Sequence, residues 1–218
     1  DDDILLEAFC IERIWDCMNS DTQIGGVSAM ITNQKYTQPG KFTRLMYRLM
    51  AGESLLSYAG KCIGPAWNIL PEDKEDLPAH VAVEWLNTGC TMYRREALPS
   101  PVFDDFFTGY SLMEDLALSL SVGKSWKLMN ARTARIFHDS QPGEHKNNLF
   151  RVSKMDFRNR YYVMTSVLNR KKASDYLKFF GFQIFQIIAT GANSSQRRHL
   201  LSMINGKISV LLSLIRKN

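Results

Sequence analysis

Three groups of residues carry side chains that could bind a metal ion or move a proton. The first is the acidic triplet Asp1-Asp2-Asp3, which is directly followed by an apolar run. Carboxylates two positions apart at a strand end can both direct oxygen ligands at one hard divalent cation. Such a cation would bridge two phosphate groups and stabilise a leaving diphosphate. An acidic N-terminal cap or a tag remnant would give the same triplet, so the triplet alone leaves these interpretations open.

The second group is Glu114 and Asp115, at the start of a strongly apolar segment that is typical of a helix. A carboxylate at the mouth of a pocket can take the proton from an attacking hydroxyl group and so act as a general base. The alternative is structural, because the helix dipole favours carboxylates in the first turn of a helix. The local sequence leaves both roles open.

The third group is His138 with Asp139, which follows the apolar segment 134–137. A histidine at the carboxyl end of a strand is well placed to line a cleft. Its imidazole is a good third ligand for a metal ion that carboxylates already hold. A single histidine is more often a hydrogen-bonded structural residue, and this alternative also stays open.

The elements that must position these residues follow from the spacing of apolar side chains. Alternation at Val27, Ala29 and Ile31 predicts a strand over 24–33. We predict further strands over 81–86, 90–93, 126–129 and 134–137, and helices over 4–19, 42–56, 94–98, 113–122, 147–170, 174–190 and 195–215. The expected fold class is α/β, with a mixed sheet, flanking helices and a C-terminal α-helical tail.

Charge is distributed unevenly along the chain. The net charge of +5 combines −6 for residues 1–150 with +11 for residues 151–218. The tail places its basic residues among many apolar ones, a composition that suits amphipathic helices lying on an anionic membrane surface. The alternative is a helical appendage that packs its apolar faces on the catalytic part. The most apolar stretch, 179–192, is shorter than the roughly 20 residues needed to span a bilayer.

The four cysteines, Cys10, Cys17, Cys62 and Cys90, form no CxxC pair and have no histidine at zinc-finger spacing. Cys10 and Cys17 would share one helix face. We expect reduced, mostly buried thiols in a cytoplasmic protein.

The order of the motifs resembles the family 2 inverting glycosyltransferases of GT-A fold, over most of residues 1–170. The most specific segment is FDDFFTGYSLMEDLALSLSVGKSWKL, which is similar to the segment of that family that carries the catalytic base. The segment FRNRYYVM is similar to one found in bacterial polysaccharide-building, rhamnosyltransferase-like members. The other matching segments are DDDILLEAF, IGGVSAMITN, VEWLNTGCTMYRREAL and ARIFHDS.

The resemblance implies a role for each matching position. Asp115 matches the catalytic base, with Glu114 as the second candidate. The residues implied to hold Mn²⁺ or Mg²⁺ are Asp1, Asp3 and His138. The residues implied to line the donor and acceptor sites are Asp2, Trp85, Asn87, Thr88, Gly89 and Tyr110. The implied substrates are a UDP-, dTDP- or GDP-linked sugar and a glycan or lipid-linked acceptor.

The chain departs from the family in its length. The family's nucleobase-binding half precedes the acidic triplet, so we expect residues 1–150 to be the C-terminal part of a GT-A catalytic domain. Residues 151–218 are then the basic amphipathic tail. The expected location is cytoplasmic and peripheral, at the inner face of the cell membrane.

Other functions remain open on the sequence alone. They are a truncated, non-catalytic remnant, a module whose basic tail binds nucleic acid or membrane, and a metal-dependent hydrolase or nucleotidyltransferase that uses the same carboxylates. We expect no nucleic-acid partner, because no nucleic-acid motif and no aromatic–basic interleaving on a strand face is present.

Overall fold

A computed structural model describes residues 3–34, 36–139 and 148–216 and has a mixed α/β architecture. The strands are β1 Ile4–Leu6, β2 Ile24–Ile31, β3 Cys62–Ile63, β4 Trp67–Asn68, β5 His80–Val83, β6 Thr91–Tyr93 and β7 Lys127–His138. The helices are α1 Cys10–Asn19, α2 Lys41–Ala51, α3 Glu114–Val122, α4 Leu149–Tyr162, α5 Ala173–Ala192 and α6 Leu200–Ile215. A π-helical turn, Val163–Val167, continues α4. The mixed sheet and the helices that accompany it confirm the predicted α/β class.

Strand β7 is the centre of the sheet. It pairs with β2 in parallel, and the other edge of β7 pairs in antiparallel fashion with β5 along its first half and with β1 along its last residues. Strand β6 closes the far side by pairing with β2, while β3 and β4 form a separate hairpin. All eight residues of β2 are buried. This apolar strand, covered on both faces, forms the middle of the core.

Two predicted elements differ from the structure. The segment predicted as one helix over 4–19 is a short strand, β1, followed by α1, because β1 pairs with the last residues of β7. The two strands predicted over 126–129 and 134–137 are one strand, whose pairing with β2 shifts between Ala131 and Arg135. The irregularity accommodates Arg132, whose guanidinium turns away to bond the carbonyl oxygens of Leu77 and Pro78. A polar side chain thus interrupts the apolar pattern without ending the strand.

The C-terminal helices pack on the rest of the molecule through aromatic side chains. Phe179 and Phe182 of α5 lie against Trp67 of the hairpin, with ring centroids 5.8 Å and 3.9 Å apart. Tyr47 of α2 joins the same cluster. Among the described residues, no helix combines the length and apolar character needed to cross a bilayer.

The cysteines are free thiols. Cys10 and Cys17 are buried in the core beneath the sheet, on one face of α1 as their spacing predicted. Burial raises the pKa of Cys10 to about 12 and of Cys17 to about 11, so both thiols are held in the protonated, unreactive form at neutral pH.

Helix α6 crosses α4 at a point where only glycine fits. A Cβ atom at Gly206 would lie 2.6 Å from the carbonyl oxygen of Phe150. Gly206→Ala should therefore lower the free energy of unfolding by roughly 1–2 kcal/mol, because overpacking outweighs the gain in helix propensity. The control is Gly181→Ala in α5, where an added Cβ meets nothing within 4 Å. We expect this control to raise stability by up to about 1 kcal/mol in urea unfolding; equal effects of the two changes would contradict the tight crossing.

Candidate functional site

A cleft of about 570 Å³ opens at the edge of the sheet where the parallel strands β2 and β7 both end. Parallel strands present their carboxyl ends at one edge, which is where ligands bind in open α/β sheets. The sequence-predicted residues that the structure describes all line this cleft: Asp3, Trp85, Asn87, Thr88, Gly89, Tyr110, Glu114, Asp115 and His138. Asp1 and Asp2 lie outside the described residues.

Asp3 and His138 are neighbours because β1 pairs with the end of β7. The register places Ile4 opposite His138, and the backbone N–H of Asp139 donates to the carbonyl oxygen of Asp3 at 2.7 Å. The side chains then meet, with His138 Nε2 3.2 Å from Asp3 Oδ2. Asn33, just beyond β2, holds the His138 backbone through both of its amide atoms, at 2.8 Å and 3.1 Å.

The donor atoms of this pair suit a divalent cation. A carboxylate oxygen and an imidazole nitrogen are both ligands of Mn²⁺, and both side chains remain about a quarter exposed, at 24% and 22%. The amide nitrogen of Gln34, Nε2, lies 3.5 Å from His138 Nδ1. With Gln34 Nε2–H as the donor, Nδ1 is the acceptor and His138 Nε2 carries the ring proton that faces Asp3 Oδ2, so a metal ion would take Nε2 in place of that proton. Among the described residues, no group of three or more His, Cys, Asp or Glu side chains is placed to hold a metal ion.

The loop that enters α3 has a strained backbone. Gly109, Ser111 and Met113 all have positive φ, of 72°, 50° and 77°. For residues other than glycine this left-handed conformation costs roughly 1–2 kcal/mol each. Such strain persists only where surrounding structure enforces it, and it is found preferentially at functional sites.

Helix α4 enforces the conformation of this loop. Asn159, which is buried, donates from Nδ2 to the carbonyl oxygen of Leu112 at 2.6 Å. Tyr162 stacks on Phe106, with ring centroids 3.7 Å apart, and its hydroxyl donates to Asp104. These contacts fix the loop, and the loop in turn fixes the positions of Glu114 and Asp115 in the cleft.

Asp115 has the electrostatic environment of a proton acceptor. The residue is half-buried, and its Oδ1 accepts the Leu116 N–H at 2.7 Å. Burial raises the pKa of the Asp115 carboxyl, and repulsion from Glu114 adds to this, against the opposing effects of the Leu116 N–H and Arg160. A raised pKa increases the basicity of a carboxylate, which favours proton abstraction from a hydroxyl group.

The opposite wall of the cleft contains the turn 87–89. Asn87 Oδ1 is buried and has no hydrogen-bond partner among the described residues, so it can accept a hydrogen bond from a ligand. Trp85 is buried, and its indole N–H donates to the carbonyl oxygen of Ile69 at 2.8 Å. Tyr110 is 44% exposed at the rim. Of the two predicted aromatic residues, Tyr110 is therefore the more accessible to a ligand.

Sequence reasoning did not identify several residues of the site. Asn33 and Gln34, the partners of His138, could have been found because they directly follow a buried strand parallel to β7. Asn68, which lines the cleft, had no such signal, because it lies in a segment for which neither a helix nor a strand was predicted. Arg160 of α4 places it, donating to Asn68 Oδ1 at 3.1 Å and to the Ala66 carbonyl oxygen at 2.6 Å.

No protein-family model matches the chain, and a search of curated proteins found no significant match. Function is therefore argued from the geometry of the cleft and from the order of the sequence motifs.

The raised pKa of Asp115 predicts how stability responds to its removal. The folded state binds this proton more tightly than the unfolded chain, so the associated stability is present below the unfolded pKa, about 3.9, and is lost as pH rises through the folded pKa. We therefore expect Asp115→Asn to be more stable than the unmodified chain at about pH 7, with the difference vanishing near pH 3 in urea unfolding.

Glu114→Gln is the matched control for this prediction. Loss of a carboxylate in the first turn of α3 should lower stability by roughly 0.3–1 kcal/mol at neutral pH. A loss of stability at neutral pH for Asp115→Asn as well would show that Asp115 acts mainly as a stabiliser of the helix terminus.

Proposed function

We propose that the protein is an inverting glycosyltransferase of GT-A fold, which transfers a sugar from a nucleotide-sugar to a hydroxyl group of a glycan or lipid-linked acceptor. The main support for the proposal is that the Asp3–His138 pair and Asp115 line the same cleft. Asp115 follows a loop with positive φ angles that contacts with α4 hold in place. The three residues are far apart in the sequence and occur in the order of the resembled family.

In this proposal Asp115 is the catalytic base. It accepts the proton of the acceptor hydroxyl group while that oxygen attacks the anomeric carbon from the face opposite the diphosphate, which inverts the anomeric centre. Glu114, its neighbour in the same cleft, raises the pKa of Asp115 by repulsion. When bound by Asp3 and His138, Mn²⁺ or Mg²⁺ would offset the negative charge of the leaving diphosphate.

The remaining cleft residues would position the substrates. Asn87 Oδ1 is placed to accept a sugar hydroxyl hydrogen bond, and the adjacent Thr88 and Gly89 line the same wall. Tyr110 at the rim offers an aromatic face of the kind on which sugar rings stack.

We also propose that the protein works at an anionic membrane surface, where a lipid-linked acceptor would lie. Helix α2 has three basic residues, no acidic residue and an exposed apolar stripe of Phe42, Leu45 and Leu49. Phe42 contacts Phe185 of α5, and α5 carries its own exposed apolar stripe. The α2–α5 face, defined as these two stripes, comprises Phe42, Leu45, Leu49, Leu177, Ile184 and Ile188. Apolar residues flanked by Lys and Arg are typical of helices that lie in the membrane interface.

Measurement of sugar transfer tests the assignment of Asp115 as the catalytic base. Asp115→Asn should lower the rate of sugar transfer by roughly 10²–10⁴-fold, because proton abstraction is lost while donor binding is kept. Transfer is measured as acceptor labelling over a set of nucleotide-sugars with Mn²⁺ or Mg²⁺. The control is Asp105→Asn, an exposed carboxylate outside the cleft, which should leave the rate unchanged. Near-normal transfer by Asp115→Asn, with donor still bound, would remove Asp115 from the base role.

Vesicle binding tests the proposed membrane surface. The double variant Leu45→Ser/Leu49→Ser should lower affinity for vesicles containing phosphatidylglycerol by about tenfold or more, because it removes apolar area that enters the interface. Trp15→Ser is the control, since Trp15 is similarly exposed but lies on α1. Binding should also weaken with added salt. Equal binding to vesicles of pure phosphatidylcholine would contradict an anionic surface.

A further inference from the structure

A second cavity, of about 410 Å³, lies among helices α4, α5 and α6. Its wall contains Lys207 of α6, which is only 5% exposed and takes no part in the proposed transfer chemistry. Leu112 lines both this cavity and the candidate active-site cleft. A ligand held in the Lys207 cavity would therefore touch the loop that carries Glu114 and Asp115.

Lys207 forms no salt bridge with a carboxylate among the described residues, although the charge of Asp156 acts on the amine from beyond contact distance. Its Nζ donates to the amide oxygens of Gln186, at 2.9 Å, and Gln183, both on α5 and both neutral. Among the described residues, the one acidic side chain on the cavity wall is Asp156 of α4, and its carboxylate accepts from Arg160 Nε at 2.8 Å. With Lys207 and Arg160 positive and Asp156 negative, this buried group retains a net charge of +1.

A buried cation without a counterion is costly, and an anionic ligand would offset that cost. Burial lowers the pKa of Lys207 to about 8, which leaves the amine mostly protonated at neutral pH. Gln183 accepts from the amine but does not line the cavity, so Lys207 itself is the cationic donor on the cavity wall. An ammonium group suits the oxygens of a phosphate group.

The rest of the cavity favours an apolar group attached to that anion. Apolar atoms, including those of Val152, Phe185 and Met203, provide most of the surface of the cavity wall, and polar side chains such as Ser153, Thr190 and Asn193 complete it. The cavity is also open to solvent beside α5, the helix that contributes to the α2–α5 face. Both properties match a phosphate ester of an alkyl or isoprenoid chain better than a fully hydrated ion.

We propose that the Lys207 cavity is a binding site for the phosphate group of an amphiphilic phosphate ester, with Lys207 as the charge partner of the phosphate. The identification of this ligand as the lipid-linked acceptor rests on the proposed glycosyltransferase function. Binding itself does not, because it requires neither donor nor turnover.

Calorimetric titration of the full chain with octyl phosphate, below its micelle concentration, tests the site. Lys207→Met should weaken binding by about tenfold or more, the effect of removing one charge-assisted hydrogen bond to a phosphate. Lys171→Met, which removes an exposed lysine ahead of α5, should leave the affinity unchanged. Unchanged binding by Lys207→Met would overturn the proposal.

Two further ligands make the result decisive even if Lys207→Met fails to fold. In the unmodified chain, octyl phosphate should bind more tightly than octanol, which lacks the charge, and more tightly than inorganic phosphate, which lacks the chain. Equal binding of octanol would overturn the role of Lys207, and equal binding of inorganic phosphate would overturn the amphiphilic ligand. Lys207→Arg, which keeps a cation, should retain the preference for octyl phosphate over octanol.

Loss of transfer with intact octyl phosphate binding would count against the glycosyltransferase function while leaving the phosphate site in place. Intact transfer with no octyl phosphate binding would overturn the phosphate site while leaving the glycosyltransferase function in place.

Discussion

The pairing of β1 with the last residues of β7 is the constraint on which the candidate site depends. It brings Asp3, near one end of the chain, to His138, and the parallel pairing of β7 with β2 adds Asn33 and Gln34 beside them. Backbone hydrogen bonds set all of these positions, so the side chains meet without having to order long flexible segments. A register shift of one residue in β1 would direct Asp3 to the other face of the sheet.

The second half of the site depends on α4, which couples the tail to the cleft. Through Asn159, Arg160 and Tyr162 this one helix holds the loop before α3, the β3–β4 hairpin and the aromatic segment around Phe106. The left-handed conformations of Ser111 and Met113 are maintained by these contacts. The C-terminal helices are thus part of the support of the cleft, whatever surface their exposed stripes contact.

Burial is used differently at different ionisable groups. The cysteine thiols are buried and held protonated, which makes them structural. Asp115 and Lys207 instead lie beside cavities, and burial disfavours the charged form of each. A ligand in the cavity could offset this cost of burying the charge. Ionisable groups that are destabilised in this way beside a cavity are candidates for function, because a purely structural role gains nothing from the penalty.

The sequence by itself was sufficient for the α/β class and for nine of the residues that line the cleft, but not for Asn33, Gln34 or Asn68. Apolar periodicity located β2, α3 and the C-terminal helices, because the burial of one face is a local, repeating pattern. The types of Asp3, Asp115 and His138 indicated chemistry that their side chains could perform, and their order contributed to the resemblance on which the proposed function rests. The strand β1 was missed, because three residues carry too little periodicity to distinguish a strand from the start of a helix.

Only the tertiary structure decided which of these residues meet and what surrounds them. The partners of His138, the support from α4 and the burial of Lys207 against Gln183 and Gln186 all depend on contacts between residues far apart in the chain. Asn159 and Leu112, for example, are separated by 47 positions, and Lys207 and Gln183 by 24. Side-chain type is a local property, whereas burial and backbone strain are set by packing and cannot be read from the spacing of residues in the sequence.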